Sequence, residues 1–433
     1  MDKFSISSVD FNSIFLLTIK LLKTMKKILQ FSIVLITLLV ASVVDTRAQG
    51  CVAVRQMGGI NPLSASGYTL PKGEFQIGTS YRYFHSFRHF VGTEEQPHRQ
   101  TTGGGFDENG NEKGNAVNIY SHAIDLNISY AITDRLQVNL VVPYVHNERS
   151  QVLAVKRDPV TNQTLEGIRY SVYAQGLADI RFSANYWLFD PAKRHNGNLM
   201  VGLGVKWNSG SHTETDDALA LDPTTKEVIT QNQTMDQAIQ PGDGGVGFSI
   251  ELQGFTKVYK GIYGFANGYY LFNPRESNGT FKSPPTVVKD EDGNVLGTLT
   301  GYNIYASPDQ YFARAGFMGS VGKAKNLTLS LAGRFEGIPA YDALGGQVAY
   351  RRPGYVVAVE PGVSYRNGKH SVSLFVPFNV VRNRIQSAAD IANQNLQNSV
   401  ITDDSEKVHV QGDAAFADYS INVSYFYRLG KLF

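Results

Sequence analysis

Apolar and polar residues alternate with a period of two along most of this chain, and the alternation is clearest in its last fifteen positions. Tyr419, Ile421, Val423, Tyr425, Tyr427, Leu429, Lys431 and Phe433 form one set; Asp418, Ser420, Asn422, Ser424, Phe426, Arg428, Gly430 and Leu432 form the other. Successive side chains of a strand point to opposite faces, so the first face is greasy and rich in aromatics and the second is mostly small or polar. Such a strand suits a wall with lipid on one side and water or packed polar groups on the other. Lys431 breaks the pattern at a position where a lysine can snorkel to the headgroups.

The same pattern predicts a set of about twelve strands, with fourteen as the alternative count. Phe75, Ile77, Thr79, Tyr81 and Tyr83 share one face of the first; Ile124, Leu126, Ile128 and Tyr130 mark the second; Leu136, Val138, Leu140, Val142 and Tyr144 the third. The fourth is carried by Ile180, Phe182, Ala184, Tyr186 and Leu188, the fifth by Leu199, Val201, Leu203, Val205 and Trp207. Residues 246–258 and 261–272 form the sixth and seventh, where glycines blur the facing of the seventh. Strands at 311–321, 327–335, 355–365 and 372–380 precede the last, and Asn367-Gly368 is a strong hairpin signal.

The connections sort by length. Those near 133–134, 190–197, 259–260, 323–325 and 366–369 are short; those near 85–116, 147–173, 210–243, 274–307, 338–353 and 383–415 are long and rich in Gly, Asp, Asn, Thr and Pro. Short turns on one side and long loops on the other are the mark of a bacterial outer-membrane barrel. An open sheet would leave edges that lipid does not tolerate. The expectation is therefore an all-β fold: a closed antiparallel transmembrane β-barrel over residues 73–433, with short periplasmic turns, long extracellular loops and both termini on the periplasmic side. In that setting Phe433, Tyr427 and Tyr425 are the candidate assembly signal for the barrel assembly machinery. Outer-membrane lipid and lipopolysaccharide are the expected surroundings.

Met25-Lys26-Lys27, the apolar run from Ile28 to Ala41 and the small residues before Ala48 have the form of a secretory signal. Residues 1–48 are expected to be a leader whose true start is Met25, and residues 49–72 a periplasmic or lumenal segment. Cys51 is the single cysteine, so no disulfide forms within the chain. Its context, Ala48-Gln49-Gly50, matches a lipidation box poorly, and a free thiol is expected. Mean hydropathy of −0.19 fits a barrel whose strands are half polar. A net charge of +2 gives no sign of nucleic-acid binding.

Several stretches resemble the outer-membrane family named for the meta-pathway of phenol degradation. They are Tyr130-Ala131-Ile132-Thr133-Asp134-Arg135-Leu136 running to Val142-Pro143-Tyr144, then Gly176-Leu177-Ala178-Asp179-Ile180-Arg181, and Gln240-Pro241-Gly242-Asp243-Gly244-Gly245. Lys206-Trp207-Asn208-Ser209-Gly210 departs from the family's pattern. The resemblance implies a channel for small, including aromatic, molecules and carries over no catalytic residue.

Catalytic, cofactor and metal sites are not expected. His85 and His89 are the densest histidine pair, and four residues apart on one strand they would share a face and could share a metal, yet no third ligand stands at a suitable spacing. Ser121-His122 and Ser211-His212 are adjacent, which on a strand puts each pair on opposite faces. Gly103-Gly104-Gly105 and the Gly242–Gly247 run lead into no phosphate-binding helix. Asp107–Glu112 and Asp290–Asn294 lack the ligand ladder of a calcium loop.

With the greasy face outward, the inward positions that line the lumen include Glu74, Arg82, Asp125, Asp179, Arg181, Lys206, Glu251, Arg314, Arg334, Glu336, Glu360 and Arg428. Opposite charges in similar number fit either a cross-strand polar plug or a solute path of mixed charge. The leading functional expectation is a channel passing small hydrophobic or aromatic solutes by passive diffusion. The alternatives are a structural or surface-binding barrel that uses its long loops and, more distantly, an outer-membrane hydrolase.

Overall fold

A computed structural model describes residues 69–290, 293–299, 301–321, 326–346 and 349–431. The leader, Cys51, the turn at Lys323-Ala324-Lys325 and Phe433 lie outside the described residues. Twelve strands make the wall: β1 (Glu74–Val91), β2 (Asn118–Ala131), β3 (Leu136–Arg157), β4 (Thr164–Leu177 continued by Arg181–Trp187), β5 (Gly197–Lys206) and β6 (Gly247–Tyr259), then β7 (Ile262–Phe272), β8 (Gln310–Val321), β9 (Leu327–Ile338), β10 (Gly354–Asn367), β11 (His370–Phe375 continued by Phe378–Arg384) and β12 (Ala414–Lys431). Each pairs antiparallel with its neighbour in sequence, and β1 pairs with β12 from Glu74↔Lys431 to Phe90↔Ala414, which closes the barrel. Closure removes the edges that an open sheet would present to lipid.

Side chains sort across the wall as the alternation requires. Ile124, Leu126, Leu203, Ile250, Leu252, Phe317 and Leu331 are exposed on the outer face, while Gln76, Asn139, Ser183, Gln253 and Asn422 are buried on the inner one. The seam is tight: a Cβ on Gly78 of β1 would come within 2.3 Å of the Phe426 ring of β12, so this inward position has room only for glycine. Strand β7, whose facing the sequence leaves open, carries large residues on both faces. Phe265, Tyr269 and Leu271 are buried, and Ala266 faces out.

Three expectations are corrected. Residues 147–173 are not a loop. The β3–β4 ladder continues through Asn147↔Ala174, Gln151↔Tyr170 and Arg157↔Thr164, leaving a connection of only residues 158–163. Charged and polar residues occupy both faces of this ribbon because it stands clear of the bilayer, and that erases the apolar alternation. Similarly, β1 runs on to Val91. His85 and His89 do not share a face either: register shifts between Phe84 and Ser86 and between Ser86 and Arg88 rotate the strand, leaving His85 outside and His89 buried within.

The remaining outer connections are structured. Residues 207–246 hold a hairpin, Thr215–Leu221 with Val228–Thr234. Residues 385–413 hold helix α1 (Ala388–Asn398), started by a capping box in which Ser387 and Asp390 exchange hydrogen bonds. A closed antiparallel barrel with an apolar outer band, short turns at one rim and long loops at the other is built to span a bilayer as strands. The chain is an outer-membrane β-barrel.

Candidate functional site

The inner face of the wall is stratified. In the periplasmic half, Trp187 (β4), Met200 (β5), Phe255 (β6), Phe265 (β7), Met318 (β8) and Ala332 (β9) pack into one buried apolar cluster, with Tyr263 against it. Trp187 meets Phe255 edge-on, with ring centroids 6.0 Å apart. Five consecutive strands thus turn large apolar side chains into the interior at this level, and Ala332 of a sixth completes the cluster.

A belt of ion pairs lies above this cluster. Glu360 of β10 accepts from Arg314 Nη1 at 2.7 Å and from Arg334 Nη1 at 2.9 Å; Arg334 Nη2 reaches Glu336 at 2.8 Å, and Arg314 Nε donates to Asn267 Oδ1 at 2.8 Å. Aromatic faces cover the guanidinium groups: Arg334 lies 4.9 Å from the Phe312 centroid, Arg314 5.2 Å from that of Phe375, and Arg181 5.0 Å from that of Tyr269. Arg82 of β1 lies within electrostatic reach of Asp125 on its neighbour and of Glu336 and Arg334 on β9. Charges so far from water persist only when paired. Glu360 is 1 % exposed and Arg334 2 %, so the belt is closed to solvent at this level.

Nearer the outer rim, Lys206 bonds both Asp179 (3.2 Å) and Asp243. Asp179 lies in the break between the two segments of β4, where the chain following β5 replaces a strand partner. Ser209 Oγ accepts from Ile180 N and donates to the Ala178 carbonyl, and Gly210 N donates to Asp179 Oδ1. Loop 207–246 is then held from two sides: Asn147 Nδ2 of β3 donates to the Ile239 carbonyl at 2.8 Å, and Arg352, just before β10, grips Asp236 through two bonds of 2.7 and 2.6 Å. Beneath it, Ile119, Val172, Ala174, Ala218, Met235 and Ile239 form a second apolar cluster.

Among the expected lumenal residues, Arg314, Arg334, Glu336 and Glu360 form one network, and Lys206 with Asp179 forms another. Glu251 is buried on β6. Arg428 stands apart at the periplasmic rim, 3.5 Å from Glu74 and donating to the Thr69 carbonyl at 3.1 Å. Tyr425 and Tyr427 lie outside with His370, whose Nδ1 is 2.9 Å from the Tyr425 hydroxyl. Sequence reasoning missed the apolar interior; its signal was the facing of β7, together with Phe312 and Met318 at positions out of step with the outward set of β8. It also missed Gln253, and it placed Asn185 on the polar face of the fourth strand without giving it a role. Both are fully buried beside the cluster, and neither amide has a hydrogen-bond partner among the described residues.

No group of three metal-ligating side chains occurs among the described residues. His85 stacks on Tyr120 (4.1 Å, 7°) and contacts Asn118 Oδ1 on the outer face. His89 bonds Asp413 inside.

The sequence matches no family model and no curated protein. Among solved structures, the chain is similar to an outer membrane channel from Pseudomonas putida F1, with 11 % identity and a TM-score of 0.49 over 86 % of this chain and all of that one. It is also similar to a FadL homologue from Pseudomonas aeruginosa, with 10 % identity and a score of 0.39 over 88 % of this chain and 99 % of that one. The toluene transporter TbuX of Ralstonia pickettii gives 11 % identity and 0.39 over 89 % and 99 %. At these scores and identities the similarities assign neither a family nor a solute.

Proposed function

We propose that the protein is an outer-membrane channel through which small hydrophobic solutes, aromatic ones among them, pass by passive diffusion. The carrying observation is the apolar cluster of Trp187, Met200, Phe255, Phe265 and Met318 inside the wall. A water-filled pore gains nothing from aromatic groups facing its lumen, whereas a path for apolar molecules needs surfaces that compete with lipid for them. The cluster under loop 207–246 offers a second such surface on the outer side. The ion-pair belt between them keeps the lumen closed to ions, and the free amides of Asn185 and Gln253 beside it supply hydrogen bonds to a solute's polar end.

The test is permeation of toluene and of a polar control sugar across asymmetric vesicles whose outer leaflet is lipopolysaccharide, with and without the protein. Faster toluene permeation without faster sugar permeation, together with low ionic conductance in planar bilayers, is the expected result. Equal toluene rates with and without protein would remove the channel reading and leave a structural barrel that works through its loops.

A further inference from the structure

Outside the membrane, the ribbon of β3 and β4 and the loop 92–117 line a half-open cavity of about 360 Å³ that the channel reading does not use. Its size falls in the range of small-ligand sites. The two elements approach closely because glycines meet at their crossing: a Cβ on Gly167 would lie 2.4 Å from the Gly104 carbonyl oxygen, and one on Gly105 2.7 Å from the Gly167 nitrogen. This gives the Gly103-Gly104-Gly105 run a structural role. Arg169 fastens the loop to the ribbon, donating from Nη1 to the Ala116 carbonyl at 3.0 Å and from Nη2 to the Gly114 carbonyl at 2.9 Å. The cavity is thus built from fixed backbone.

Its lining is chemically uneven. Arg99 and Arg157 supply two guanidinium groups; Asn115, Gln151 and Gln163 supply amides; Val117 and Val152 supply an apolar patch. No carboxylate lines it. Glu112, close by, is engaged by Gly103 N at 2.9 Å and Gln163 Nε2 at 3.4 Å. Asp413 holds Arg99 by Nη1 at 3.1 Å, but Arg99 Nε and Asn115 Oδ1 are buried polar atoms without a protein hydrogen-bond partner. Arg157 spends one bond on the Asn162 carbonyl at 3.1 Å and is in no ion pair among the described residues. The site therefore offers spare cationic donors, amides with both a donor and an acceptor, and a small apolar surface.

We propose that this cavity binds one acidic sugar residue. The guanidinium forks suit a carboxylate or phosphate, the amides suit vicinal ring hydroxyls, and the valines suit the C–H face of a pyranose ring. A free inorganic anion would leave the amides and valines unused, and a neutral sugar would leave the two arginines unpaired. Two sources present this chemistry on the outer face: a free sugar acid in the surroundings, and an acidic sugar of the lipopolysaccharide that surrounds the barrel.

The experiment uses the full barrel refolded in detergent free of lipopolysaccharide. Glucuronate, deacylated lipopolysaccharide core oligosaccharide and neutral glucose are titrated separately by calorimetry. Saturable binding of at least one acidic ligand is expected, with glucose about tenfold weaker or more. Glucuronate alone would identify the free sugar acid as the source, and core oligosaccharide alone the lipopolysaccharide. Arg157→Gln and Asn115→Asp should each weaken binding about tenfold while leaving heat-modifiable gel migration unchanged. Absence of saturable binding by both acidic ligands, equal binding of glucose, or indifference to both substitutions would each overturn the proposal. Toluene permeation is expected to be the same in both variants, so this test is separate from that of the channel.

Discussion

His89 holds Asp413 through a bond of 2.8 Å at Nδ1, and its Nε2 accepts the backbone N–H of Val117 at 2.9 Å. One imidazole thereby ties the outer end of β1 to the approach to β12 and to the end of loop 92–117. Replacing it by leucine strands the Val117 N–H and leaves Asp413 with Arg99 alone. His89→Leu is expected to cost about 1–3 kcal/mol, read as a lower urea midpoint of tryptophan fluorescence with the barrel still heat-modifiable. An unchanged midpoint would show that the tie contributes nothing.

The loop roof should fail in acid. Burial pushes the Asp413 carboxyl up, but the hydrogen bond from His89, with the charge of Arg99, outweighs it and holds Asp413 at about 2. Burial likewise raises Asp236, and the Arg352 pair outweighs it, holding the group well below the usual carboxylate range. A depressed folded pKa means stability that is fully present above the unfolded value of about 3.9 and lost as pH falls through the folded one. Pepsin is therefore expected to cut within 207–246 and 385–413 near pH 2 and to cut far more slowly near pH 4, after correction for its activity on an unfolded substrate. Arg352→Ala should bring cutting of 207–246 up toward pH 4. Equal corrected rates at the two pH values would contradict this.

Glu360 neutralises two arginines at once. Glu360→Gln leaves Arg314 and Arg334 with too few counter-charges in a buried setting, and about 3–5 kcal/mol of stability should be lost. If the barrel still assembles, the uncompensated positive belt should admit anions. A rise in chloride-carried current in planar bilayers is the measurement, and a silent variant would show that the belt is not what closes the lumen.

Phe265→Ala removes a ring from the centre of the periplasmic cluster. The expected cost is about 3–5 kcal/mol, with toluene permeation raised if the cluster narrows the path. Loss of permeation would instead mean that the ring is a needed contact. An unchanged rate would remove the cluster from the path.

What the sequence reveals here depends on whether the two faces of a strand differ. In β8 and β9, charged Arg314, Arg334 and Glu336 alternate with Ala313, Ala315, Leu331 and Phe335, and a charge beside lipid has one direction to go. In β7, Phe265, Tyr269 and Leu271 compete with Tyr270 and Phe272, so both faces are apolar and hydrophobicity cannot choose. In the β3–β4 ribbon polar residues such as Arg149, Gln151, Glu166 and Arg169 stand on both faces and carry no alternation, although Val172 and Ala174 are buried under loop 207–246. The rotation of β1 between His85 and His89 comes from register shifts against β12, a relation between distant segments that a local pattern does not contain. The outer cavity was hidden for the same reason: Gly104 and Gly167 meet only once the fold exists.

Ser80 and Ser424, 344 positions apart, bond Oγ to Oγ at 3.0 Å across the seam. The first strand of the wall thus finds its second neighbour only when the last strand has been made. Until then its free edge is open to pairing with any other chain, and no shorter product can finish the cylinder by folding on itself. A chain cut before β12 therefore leaves both ends of the wall unpaired and makes an open sheet, not a smaller channel.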